Sequence, residues 1–405
     1  MVVWRGTSIA MTGLPKELLF LIITTITLFL ATQTVQPILS LYITEKGATT
    51  LELGIIISLL SFVAIAAKIP LGILAERIGR WPIIPAVAVG QTISLLLYSI
   101  APNPSWFYPI RIFHALILAA YAPTAIAITQ DLAPQNKRGT TMGVFLTSVG
   151  VTTTIGPLLC MFFINYFAYE QLFQIASIIP LLGLLPFLFI IRDKNSYKTN
   201  HRIKKNMNFK DSLREIASSR SILVLTYLRL AFSFANAFFI TFFAIYAEEN
   251  LLISSSLIAL LFGIKGASNM LSRIPSGKLT DRIGHKYPII IAFTLLAVSF
   301  LIISETNNIY LLAFALTIYG AAHGMRAVAE WSSLGDSAPL QARNVATAYL
   351  STMFNVGAAF GALIAGALSI AVTISSMFKL ASIIVFSGVI MVMLQQQKTK
   401  NRIST

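Results

Sequence analysis

An all-α membrane fold is predicted, with twelve transmembrane helices arranged as two six-helix pseudo-repeats around a central cavity. Three observations predict it. Hydrophobic residues make up 56% of the 405 positions and charged residues only 11%, against about 25% charged in a typical soluble chain. The apolar residues run in stretches of about 18 to 26, long enough to cross a hydrocarbon core roughly 30 Å thick as helices. The third observation is a repeat. Lys68–Arg80 (KIPLGILAERIGR) returns 205 positions later as Arg273–His285 (RIPSGKLTDRIGH), with seven identities. Asp131, Ala133, Pro134 and Arg138 recur at the same offset as Asp336, Ala338, Pro339 and Arg343. A period this long means duplicated halves, not a solenoid.

The spans follow in order. The first, 18–42, is too long for the h-region of a signal peptide and is expected to remain as a membrane helix. It carries Gln33, Gln36 and Pro37. Spans two and three, 54–74 and 82–101, flank the first copy of the repeated stretch. Span four, 107–130, opens with Arg111 and His114. Span five, 142–163, holds Cys160, the only cysteine, read as a small core residue. Span six, 171–191, closes the first half. Spans seven to twelve, at 221–246, 254–275, 288–304, 309–332, 345–369 and 375–394, repeat the order. The second copy of the stretch falls between spans eight and nine. The expected units are an N-terminal half (1–191), a basic linker (192–220) and a C-terminal half (221–405).

The net charge of +15 invites a nucleic-acid reading, which position argues against. Most of the 30 basic residues sit in alternate turns between apolar runs, including Arg77, Arg80, Lys137, Arg138, Lys278, Arg282, Lys286 and Arg343. Such a bias sets orientation in a bilayer. It places both termini and the linker in the cytosol, and the chain in an inner or plasma membrane. The linker is read as a topology anchor, partly helical near 209–217.

Ionisable residues inside a span are costly and mark a cavity or a partner. Arg111, Arg229, Lys265, Arg326 and Glu330 fall within spans. Lys265 lies near the centre of span eight, roughly 15 Å from either end. Arg229 is two turns in, with snorkelling to the interface as its alternative. His323, Arg326 and Glu330 share one helix face. The choice there is between proton coupling through Glu330 or His323 and a structural Arg326–Glu330 pair. The excess of basic over acidic groups favours anionic or neutral solutes over cationic ones.

With these residues in view, the chain resembles the major facilitator superfamily over essentially its whole length. The carrying motif is Gly72-Ile-Leu-Ala-Glu76-Arg77-Ile-Gly79-Arg80-Trp81. Its second copy is Gly277-Lys-Leu-Thr-Asp281-Arg282-Ile-Gly284-His285-Lys286. The first copy has Glu for the family's Asp and Trp for a basic residue. The resemblance implies a gate, latched when the transporter faces outward, formed by these residues with Asp131, Arg138, Asp336 and Arg343. Physically, Gly72 permits close helix approach, Gly79 a tight turn, and Glu76 and Arg77 charged contacts to facing helix ends. Gly143, Gly156 and Pro157 in span five half-match the family's antiporter signature. Thr152 and Cys160-Met161 depart from it.

The reading that follows is a secondary transporter of a small organic solute, working by alternating access. Proton-coupled efflux of amphipathic compounds leads. An organic-anion transporter using the basic interior and a non-transporting sensor are the alternatives. Substrate and coupling candidates are Gln33, Gln36, Arg111, Arg229, Asn236, Lys265, His323, Arg326 and Glu330. An enzyme would need clustered His, Asp or Glu, and the four histidines are scattered. No cofactor or metal is expected beyond a possible coupled proton. The expected partners are the substrate and the bilayer, with no nucleic acid, around a monomer.

Overall fold

A computed structural model describes residues 15–133, 138–185, 219–337 and 343–403. The expected linker falls outside these residues up to position 218. So do the side chains of Glu76, Arg138 and Arg343.

The first half contains α1 (Lys16–Val35), α2 (Leu39–Glu45), α3 (Thr50–Ile78), α4 (Ile83–Ser99), α5 (Pro104–Leu132), α6 (Arg138–Phe163) and α7 (Tyr169–Leu182). The second half contains α8 (Arg220–Ile245), prolonged by a π-helical turn (Tyr246–Asn250), and then α9 (Ser255–Ile283) and α10 (Lys286–Glu305). It ends with α11 (Ile309–Ser337), α12 (Arg343–Leu368) and α13 (Ile374–Ile403). Among the described residues, ten spans are long and apolar enough to cross a bilayer, and α4 is a shorter apolar helix. Helices α1 and α2 together form the first span and α7, described over 14 helical residues, stands as the sixth, so the helices fall into two sets of six.

Local chemistry explains the element ends. The first span, expected as one run over 18–42, is split at Gln36–Ile38. Pro37 has no N–H for the ladder and clashes with a preceding helical turn. The α3 start is a reciprocal cap: Glu52 N donates to Thr49 Oγ1 (3.2 Å) and Thr49 N donates to Glu52 Oε2 (2.9 Å). Asn103 caps α5 through Ser105 N (3.2 Å), with Pro104 in the first turn. Helices α3 and α9 run beyond their expected ends at 74 and 275. The repeated stretch is therefore mostly the last turns of a helix rather than a loop. Each copy stops at a glycine in the left-handed region, Gly79 (φ 94°) and Gly284 (φ 77°), where a side chain would be strained.

Helices α3 with α12 and α6 with α9 join the halves. Their contacts concentrate at the end away from the Gly79 and Gly284 turns. Gly54 of α3 faces the Gly366 backbone of α12 so closely that a Cβ on either would overlap the other. Asn165 Nδ2 donates to Ser256 Oγ (3.2 Å), and Tyr169 Oη meets Ser255 Oγ at 2.9 Å. Deeper in, Phe62 and Phe360 stack edge to face, and the Arg273 guanidinium reaches Gly150 of α6. Toward the motif turns Ile69 and Ile274 are 67% and 73% exposed. No described atom lies within 4 Å of a Cβ placed on Gly72. The close helix approach expected at Gly72 is thus absent in this conformation, because the halves meet at the other end. Around the outside, Ile178, Ile383 and Leu394 are exposed, as a lipid-facing wall requires.

Candidate functional site

A cavity of about 250 Å³ lies between the halves. The first half contributes Thr32 and Gln36 from the first span, Ser61 from α3, Tyr98 from α4, and Arg111 and His114 from α5. The second half contributes Asn236 and Ile240 from α8, and Phe354 and Asn355 from α12. Apolar side chains form most of the wall and a few polar groups converge on it, as in a small-molecule site.

The polar groups are fixed by neighbouring helices. Arg111, 6% exposed, donates from Nε to the Ile56 carbonyl at 3.3 Å. Helix α5 and helix α3 are thereby tied at the cavity wall. His114 Nδ1 lies 3.4 Å from the Tyr98 hydroxyl. Gln91 Nε2 donates to Thr32 Oγ1 at 2.9 Å. Across the cavity, Tyr319 of α11 donates its hydroxyl proton to Asn236 Oδ1 at 2.6 Å. That bond orients the amide toward the cavity.

A second polar centre lies within the C-terminal half. Glu330, fully buried, receives two guanidinium groups on one oxygen: Arg326 Nη1 at 2.6 Å and Arg229 Nε at 2.7 Å. Arg229 therefore does not snorkel. It turns inward, with its guanidinium 4.2 Å over the Trp331 ring, while Arg326 lies 3.7 Å over Phe232. Cation–π contact offsets part of the desolvation of each. His323 packs on the Phe232 ring at 4.7 Å. Two arginines against one carboxylate leave this centre with an excess positive charge.

Lys265 is joined to neither centre by an ion pair among the described residues. Its ammonium is 4.3 Å from the Phe239 ring centre, 5.2 Å from Tyr319 and 5.3 Å from Phe262.

The remaining sequence candidates divide clearly. Gln36, Arg111 and Asn236 line the cavity between the halves. Arg229, His323, Arg326 and Glu330 gather in the second half. Gln33 lies in the α1–α6 contact, where its backbone and Cβ press on Gly156. Pro157 continues α6, and Gly143 has no described atom within 4 Å of its Cβ position. Arg77, Asp281 and Arg282 are exposed. Within each half, however, the end of the repeated stretch is clamped. Arg80 Nη1 lies 2.5 Å from Asp131 Oδ2, and His285 Nδ1 lies 3.4 Å from Asp336 Oδ2. A Cβ placed on Gly277 would lie 4.0 Å from the Val328 side chain.

Sequence reasoning missed Tyr319, Tyr98 and Ser255–Ser256. Hydroxyls at helix positions carry no periodic signal. The His285–Asp336 contact was available, since both residues sit at the 205-residue offset from Arg80 and Asp131.

Two six-helix halves enclosing a polar-studded cavity are the architecture of a membrane transporter of the two-half kind. The chain belongs to the Major Facilitator Superfamily, whose family model matches residues 21–251 and 229–404. It is 25% identical over 383 residues to an uncharacterized MFS-type transporter of Methanocaldococcus jannaschii, covering 91% of this chain and 95% of that one. It is 25% identical over 368 residues to the multidrug resistance protein MdtG of Salmonella arizonae, covering 88% and 89%. Among solved structures, a POT family transporter in complex with 5-aminolevulinic acid superposes with a TM-score of 0.79 at 13% identity, over 95% of this chain and 96% of that one. A bacterial homologue of the human lysosomal transporter Spinster, in an inward-facing and occupied conformation, gives 0.70 at 14% identity, over 93% and 94%. These structural likenesses establish the fold. The chain is a multi-pass membrane transporter, and not an enzyme.

Proposed function

We propose that the chain exports small amphipathic compounds in exchange for protons, by alternating access at the cavity between its halves. The carrying observation is that cavity. Apolar walls suit a hydrophobic body, while Gln36, Arg111, His114 and Asn236 supply a few polar anchors. The name of the Salmonella relative, a multidrug resistance protein, agrees with efflux. In this reading residues 1–191 and 221–405 rock against one another, joined by a cytosolic linker over 192–220. Both termini are cytosolic, the membrane is the inner or plasma membrane, and the unit is a monomer. The conformation described then opens toward the cytosol, because the basic motif end is the cytosolic one. Glu330 and His323 are the coupling candidates. The two copies of the motif, with Asp131, Arg138, Asp336 and Arg343, form the gate that latches in the opposite state.

The test is transport by purified protein in liposomes under an imposed pH gradient. A panel of neutral, cationic and anionic amphiphiles is offered. Accumulation that depends on the gradient supports proton exchange. Accumulation that is the same without it removes proton coupling, and binding without any accumulation would favour a sensor.

A second reading, organic-anion transport, is favoured by the charge balance of the interior. Arg229, Arg326 and Glu330 together carry an excess positive charge, and Arg111 lines the cavity itself. The same panel separates the two readings, by whether anions alone are moved.

A further inference from the structure

The cavity between the halves presents hydrogen-bond donors from both sides and no carboxylate. Arg111 lines it from the first half, 6% exposed, with its Nε bound to the Ile56 carbonyl. A guanidinium stays charged inside a protein. No carboxylate pairs with this one among the described residues, and no aspartate or glutamate is among those lining the cavity. A cation so placed within a membrane is costly and marks a ligand path. From the second half, Asn236 lines the same space, and Tyr319 donates to its Oδ1 at 2.6 Å. The acceptor end of that amide is thereby occupied, so its Nδ2 hydrogens are what it offers the cavity. Asn355 of α12 lines the cavity too, and its Nδ2 is buried with no hydrogen-bond partner. A buried donor left unpaired costs free energy, which a bound acceptor recovers.

A negatively charged acceptor satisfies all three groups at once. A carboxylate has two oxygens with about four lone-pair sites, and its bonds to a guanidinium are charge-assisted and correspondingly strong. An ammonium group offers no acceptor and meets the uncompensated charge of Arg111. The rest of the wall is apolar, with Leu39, Ile57, Leu60, Ile240 and Phe354. At about 250 Å³ the space lies below the roughly 300–1,000 Å³ of drug-sized pockets. One carboxylate on a short hydrocarbon body matches both the size and the lining.

We propose that the cavity takes small amphipathic monocarboxylates, and that Arg111 of the first half and the amides of Asn236 and Asn355 of the second select for the carboxylate. This rests on the cavity being the substrate site, and it goes further by naming the substrate class and the side chains that choose it.

The experiment is ligand binding to the purified full chain in detergent, so that its outcome does not depend on transport or on proton coupling. At about pH 7 a carboxylic acid is ionised. 3-Phenylpropanoate is compared with its uncharged and cationic counterparts, 3-phenylpropanamide and 3-phenylpropylamine. Wild type should bind the acid at least about tenfold more tightly than the amide, the range that a charge-assisted hydrogen bond supplies, and the amine least of all. Arg111→Gln should remove that preference and leave the amide affinity little changed. A role confined to tying α5 to α3 would weaken both ligands alike. Asn355→Leu should weaken the acid more than the amide. Asn236→Asp keeps an acceptor for Tyr319 and turns a carboxylate toward the cavity, so the order should reverse in favour of the amine. Ala358 lines the cavity, and Ala358→Trp should block all three ligands. No binding of the acid, equal binding of acid and amide, or a preference that survives Arg111→Gln overturns the proposal. The cavity stands as the substrate site in those cases if Ala358→Trp still blocks whichever ligand binds. Binding that survives Ala358→Trp in a folded protein overturns the cavity reading and the proposal together. If Arg111→Gln does not fold, Asn236→Asp decides, and an unchanged order of acid over amine defeats the proposal.

Discussion

Arg80 and Asp131 form an ion pair at 2.5 Å, and 205 positions further on His285 Nδ1 stands 3.4 Å from Asp336 Oδ2. Each pair ties the turn after one long helix, α3 or α9, to the end of the next but one, α5 or α11. The duplication has thus preserved a contact as well as a motif. These pairs lie within a half, so they tie each half to itself at its motif end and not to the other half.

Asp131→Ala tests that role. The pair is partly exposed, with side chains 17% and 34% accessible, and exposed pairs contribute at most about 1 kcal/mol. The melting temperature should therefore fall by only a few degrees, while the transport rate falls severalfold. A large loss of stability with unchanged turnover per folded molecule would make the pair a structural staple.

Glu330→Ala should behave in the opposite way. It strips the counter-ion from two buried guanidinium groups, and breaking a buried pair by removing one partner costs roughly 3–5 kcal/mol. Arg229→Ala should cost less, because Arg326 still neutralises the carboxylate at 2.6 Å. Denaturation of the three proteins in one detergent gives the order. A Glu330→Ala protein as stable as wild type would contradict the paired arrangement.

At the opposite end, Lys46 Nζ donates to Glu170 Oε1 at 2.7 Å. Glu170 sits in the first turn of α7, at the rim outside the hydrocarbon. The Lys46 hydrogen bond holds its carboxyl below the usual carboxylate range, outweighing partial desolvation. A depressed pKa contributes stability that is fully present above the unfolded value, about 4.3, and is lost as pH falls through the folded value. Acidification from about pH 5 to 3 should therefore destabilise wild type more than Glu170→Gln. Parallel melting curves for the two proteins across that range would show that the contact contributes nothing.

The contact between Asn165 and Ser256 joins the halves. Asn165→Cys/Ser256→Cys should form a disulfide under mild oxidation and stop transport, and reductant should restore it. Native Cys160 is buried and should not compete. Full transport in the cross-linked protein would mean that this end never opens.

Much of this was legible without coordinates. Twelve spans, two halves and the paired glycine turns follow from apolar run lengths and from one offset. The Arg326–Glu330 contact follows from a spacing of four on one helix. The Arg229–Glu330 contact does not, since the two lie about a hundred positions apart and either could have faced water. Lys265 shows the same limit. Its central position in span eight was readable, but the rings around it come from three helices. The break at Pro37 is a local event that apolar run length hides.

The sequence by itself determined that the chain spans a membrane, how often, and that one six-helix unit was duplicated. Those properties depend on transfer of apolar residues into hydrocarbon and on backbone pairing within each helix, both local along the chain. Only the tertiary structure decided which charges neutralise one another, which polar groups face the cavity, and at which end the halves meet. These depend on how separate helices are rotated and packed against one another. Packing in hydrocarbon turns on close backbone approach, as at Gly54 and Gly366, and on a few polar contacts between helices.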